Sequence, residues 1–103
     1  MLTLPFSYNW NNKLDCKAFT TIRIYQPDKH IPGIDVDPVL KGESKGISTL
    51  MEVKAFYLHQ LNNYISYLDT CYNVTDCTAV IKNMYPKVDF ATKQLALLLI
   101  VKK

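Results

Sequence analysis

The feature that most limits what this chain can fold into lies near its end. Residues 94–101, opening on Gln94 and running through Leu95, Ala96, Leu97, Leu98, Leu99, Ile100 and Val101, are bounded by Lys93 and Lys102. The run is of strand length rather than helix length, and it lacks polar alternation. It therefore reads as a strand buried on both faces, such as one that closes a barrel.

A second strand carries the chemistry. Lys17-Ala18-Phe19-Thr20-Thr21-Ile22-Arg23 contains the only arginine of the protein. Its β-branched and aromatic residues favour an extended chain. Side chains alternate along a strand, so Phe19, Thr21 and Arg23 share one face and Thr20, Ile22 and Ile24 the other. With Lys17 on the first face, an ammonium, a hydroxyl and a guanidinium stand in one row. Such a row suits a phosphate, a carboxylate or a polarised carbonyl. A solvated strand face is the plainer reading of the same charges.

Around these two strands the chain reads as alternating short elements. Leu2 to Ser7 is an opening strand kept at an edge by Pro5, and Asn11 or Asn12 caps a short helix through Leu14 and Cys16. Pro27, Asp28, Pro32 and Gly33 mark a loop. Residues 34–40 form a strand whose Asp35 and Asp37 share a face, and residues 41–46 form a turn with two glycines that offers Lys41 and Lys45 to an anion. The longest alternation spans residues 47–56. It puts Ile47, Thr49, Met51, Val53 and Ala55 on one face and Ser48, Leu50, Glu52, Lys54 and Phe56 on the other.

Leu61, Tyr64, Ile65 and Leu68 recur at helical spacing over residues 60–68, with Tyr57, Tyr67 and Tyr72 close by. Aromatics beside basic residues can stack bases, and they also rim small cores. Residues 69–73 read as a linker. Thr75 or Asn73 then caps a second helix, with Asp76 at its positive end. Cys77, Val80, Ile81 and Met84 form its apolar stripe, which makes Cys77 an inert core thiol. Pro86 ends it.

Length and composition bound the function classes. One domain over residues 1–103 is expected, with 49% hydrophobic content to fill a core. A net charge of +3 permits nucleic acid without demanding it. No apolar run reaches membrane-spanning length, no signal peptide is evident, and three scattered cysteines read as reduced thiols, so a cytoplasmic protein is expected. Neither histidine has partners at metal-ligand spacing. No metal, no cofactor and no membrane partner are expected. Neither a phosphate loop nor a nucleophile elbow is present.

The segment around Arg23 resembles the signature of the ASCH domain, a branch of the PUA-like fold, written Gly-x-Lys-x-x-Thr-x-Arg. Thr21-Ile22-Arg23 supplies Thr-x-Arg. Lys17 stands one residue further from the arginine than that pattern asks, and Asp15 or Cys16 replaces the glycine. The resemblance extends along the chain, through a helix ending in Met84-Tyr85-Pro86 to the closing apolar strand. Pattern alone fits a barrel and an open sheet equally. The resemblance implies an α+β fold, a PUA-like small mixed barrel of about five strands with two or three short flanking helices, and a cleft between barrel and helices.

Two function classes follow from that resemblance. One is a module that binds RNA, a nucleoside or a nucleotide, in which Lys17, Thr20, Thr21 and Arg23 hold the ligand and Lys41, Lys45 and Lys54 steer it. The other is a small amidohydrolase acting on N4-acetylcytidine or a related acylated nucleoside. There Thr21 is the nucleophile, Lys17 activates it, and a carboxylate does acid–base work. The family places a glutamate near Thr70, where this chain has none, so Asp69 or Glu52 is the candidate carboxylate. A third class, a protein-interaction domain with no nucleotide ligand, leaves these residues to stabilise the sheet.

Overall fold

The computed structural model describes residues 1–103. Six strands form one mixed sheet: β1 (Leu2–Phe6), β2 (Ala18–Ile24), β3 (Asp35–Leu40), β4 (Glu43–Ser44), β5 (Ser48–Phe56) and β6 (Leu95–Lys102). Two α-helices, α1 (Asn63–Thr70) and α2 (Val74–Met84), and two 3-10 segments, Trp10–Asp15 and Leu58–Gln60, complete the chain.

The strand order is β1-β3-β5-β6-β2, with the short β4 attached to β3. Only β1 and β3 pair in parallel. The apolar run lies between β5 and β2 as a central strand; Ala96, Leu98 and Ile100 on its inner face are fully buried, whereas Leu97, Leu99 and Val101 on the outer face are half-buried, so the expected burial on both faces holds for one face only. The sheet does not close into a barrel: β1 and β2 are its two edges and share no ladder. Pro5 is tolerated on β1 because that strand pairs on one side only.

Side chains across β5, β6 and β2 line up in rows. On the inner face they read Leu50–Ile100–Phe19, then Val53–Leu98–Thr21, then Ala55–Ala96–Arg23. Large apolar groups fill the first row together with Leu4, Phe6, Leu14 and Val36. The expected alternation of residues 47–56 breaks because a β-bulge falls between Leu50 and Glu52. One extra residue there moves Leu50 onto the face of Val53 and Ala55, and leaves Met51 exposed.

On the outer face Ile22, Phe56 and Leu95 meet Leu58, Leu61, Cys77 and Ile81 in a second core under the helices. Asn62 and Asn73 cap α1 and α2, accepting from the backbone N–H of Ile65 and Asp76 at 2.9 and 2.8 Å. Several sequence expectations need adjustment here. The first helix runs over 63–70 and so contains Asp69 and Thr70, which the sequence assigned to a linker. The cap of the first 3-10 segment is Asn9, whose Oδ1 accepts from Leu14 N–H, while Asn11 and Asn12 take left-handed backbone angles inside it. Met84 is exposed instead of completing the buried stripe. No helix is long and apolar enough to cross a membrane.

Candidate functional site

A cavity of about 570 Å³ opens at the seam between the two sheet edges, walled by α1 and α2. Phe6 and Ser7 come from β1 and its end, Thr21 and Arg23 from β2, Lys41 and Gly42 from the turn after β3, and Asp69 and Thr70 from the last turn of α1. Trp10 and Lys13 of the first 3-10 segment close it. Three cations and one carboxylate line this space.

Lys13 and Asp69 are both buried and paired, with Nζ 3.0 Å from Oδ1. The ammonium also donates to the main-chain oxygen of Asp69 at 3.1 Å. It thus neutralises a carboxylate and caps a helix-terminal carbonyl at the negative end of α1, where a lone carboxylate would be unfavourable. Burial lowers the Lys13 pKa below the usual lysine range, and Asp69 opposes that shift. Thr20 donates its hydroxyl to the same Oδ1 at 2.9 Å.

Arg23 lies with its guanidinium 4.5 Å from the centre of the Phe6 ring, a cation–π arrangement. Its Nε–H donates to Thr21 Oγ1 at 3.1 Å. The guanidinium has five N–H groups, and the four on its two terminal nitrogens have no protein acceptor. Lys13 likewise has a third N–H beyond the two committed to Asp69, and Asp69 Oδ2 accepts nothing. Burial pulls the Arg23 pKa below its ordinary range, opposed by Tyr85 and Asp69. It stays the permanent charge of the site. Beyond Arg23 the same seam continues as a smaller cavity of about 270 Å³ that includes His30 and Tyr85.

Of the residues singled out from sequence, Thr21, Arg23, Lys41 and Asp69 come together at the main cavity. Lys17 does not. It is exposed before β2, and the lysine in the cavity is Lys13. Thr20 is on the opposite face of β2 from Thr21 and reaches the site only by holding Asp69. Lys45 is drawn away to Asp15 at 3.5 Å. Glu52 and Lys54 line a separate groove on the outer face with Thr20 and Leu99, so Glu52 is not a partner of Asp69 or Arg23. Asp35 and Asp37 are engaged by Lys103 and Ser44, at 2.7 and 2.6 Å.

Lys13 was missed because it resembles the other ten lysines in everything but its neighbours. The one local sign is its place between Trp10 and the fully buried Leu14, the two apolar residues that anchor an otherwise polar segment. Cys77 is buried and its thiol is pushed up by burial, the opposite of an activated nucleophile. No protein-family model matches the chain, and neither a curated protein nor a solved structure does.

Proposed function

We propose that the chain is an ASCH-type module of the PUA-like class, its barrel left open at the β1–β2 seam, and that the cavity there binds a nucleoside, a nucleotide or the exposed base of an RNA. One observation carries this reading. The terminal N–H groups of Arg23 and the third N–H of Lys13 are unclaimed by protein acceptors and open into one cavity. Unspent charged donors in a partly desolvated site favour an anionic or carbonyl-rich ligand over water. The volume, about 570 Å³, lies within the range of small-ligand sites. Thr21 and Asp69 Oδ2 add a hydroxyl and an acceptor that can read a base edge. Calorimetric titration with nucleoside monophosphates and short single-stranded RNAs across a salt series tests it. Saturable binding that weakens with salt and drops about tenfold or more in Arg23→Gln is the expected result.

Amidohydrolysis of an acylated nucleoside is the second reading, supported by Thr21, Lys13 and Asp69 sharing the cavity. Thr21 Oγ1 already accepts from Arg23, which leaves its own hydroxyl hydrogen for a base. An amine whose pKa is lowered by burial is nearer to the neutral form a base requires. Lys13 then takes the part expected of Lys17, and Asp69 the part of the missing glutamate. Turnover of N4-acetylcytidine, abolished in Thr21→Ala and retained in Lys17→Ala, distinguishes catalysis from binding.

A further inference from the structure

Three aromatic rings form a contiguous row beside the cavity. Trp10, a cavity wall, contacts the Tyr8 ring at 4.6 Å and the Tyr72 ring at 5.5 Å between centroids. Tyr8 and Tyr72 are 55% and 39% exposed, large apolar surface that the fold does not use. Each follows closely on a residue of the cavity wall, Tyr8 on Ser7 and Tyr72 on Thr70. The Tyr72 N–H is fixed to Thr70 Oγ1 at 3.2 Å. The planes are inclined at 60° and 77°, so Trp10 meets its two neighbours in tilted and edge-to-face contacts. The exposed parts of Tyr8 and Tyr72 are the aromatic surface left to a planar group.

We propose that this row is a stacking subsite for the base next to the one held in the cavity, so that the preferred ligand is a single-stranded oligonucleotide rather than a free nucleotide. The inference rests on the nucleotide reading of the cavity. Lys41 at the mouth and Arg23 within supply charge for the connecting phosphate, and exposed aromatic faces supply sequence-tolerant stacking. The occupant is nucleic acid rather than peptide because the row is continuous with a cavity dominated by cations.

Trp10 is the only tryptophan, so its fluorescence reports on the subsite directly. Uridine monophosphate and tetrauridylate are titrated into the wild type, Tyr8→Ala and Tyr72→Ala. Stacking contributes about 1–3 kcal/mol per base, or roughly fivefold to 150-fold in affinity. The tetranucleotide should therefore bind at least about fivefold tighter than the monophosphate. Each variant should lose that advantage while keeping the monophosphate affinity, which also shows that it is folded. Equal affinities for the two ligands in the wild type, with the monophosphate still bound, overturn the subsite and leave the cavity reading intact. Binding of neither ligand overturns both.

Discussion

Lys13 Nζ meets Asp69 Oδ1 at 3.0 Å across 56 residues of sequence, with both side chains buried. That pair ties the first 3-10 segment to the end of α1 and thereby fixes two walls of the cavity. Removing one member leaves the other charged and buried. Asp69→Ala, which also strands the Thr20 hydroxyl, should cost about 3–5 kcal/mol by urea denaturation. Lys13→Met combined with Asp69→Leu should recover most of that loss, because replacing both charges removes the desolvation cost. A double variant as unstable as the single one would show that the pair contributes more than mutual neutralisation.

Binding variants should separate by cavity position rather than by sequence motif. Arg23→Gln removes the charged donors and should weaken nucleotide binding about tenfold to a hundredfold, the range expected for lost charged hydrogen bonds. Lys17→Ala, at an exposed lysine outside the cavity, should change affinity by less than about twofold. Calorimetry on the two variants makes the comparison.

His30 gives the fold a pH dependence of determinate sign. Burial, reinforced by Arg23 and Lys29 and opposed by Asp28, holds its pKa below 6.5. Its Nδ1 accepts the Gln26 N–H at 3.1 Å, a bond that protonation destroys. The unfolded chain binds the proton at a higher pH than the folded one. Stability from this group is therefore complete above about pH 6.5 and falls as the pH drops toward the folded pKa. The urea midpoint should decrease between about pH 7.5 and pH 5.5 in the wild type and change less in His30→Asn, which retains an acceptor.

How much of this was legible in the sequence depended on whether the determinant was local. The strand identity of β6, the edge position of β1 and the inner face shared by Thr21 and Arg23 follow from residue pattern over a few positions. The bulge after Leu50 does not, because one inserted residue is invisible in an alternation that reads smoothly on both sides of it. From sequence Asp69 begins a linker, since a polar Asp-Thr pair resembles a helix exit. The capping contacts from Lys13 keep it in the last turn of α1 instead. Lys13 itself required a contact spanning more than half the chain, which no local pattern encodes. The open seam between β1 and β2 is likewise a property of strand order, and the β-strands alone fit a closed barrel equally well.

The most direct test of the account follows the backbone amide signals of the labelled protein while cytidine monophosphate is added. Saturable shifts centred on Phe6, Thr21, Arg23, Gly42 and Thr70, the walls of the cavity, are the predicted result, with saturation needing about tenfold or more ligand in Arg23→Gln. Shifts confined to Lys17, Lys45 or the groove at Glu52 and Lys54, or none at all at millimolar ligand, would contradict it.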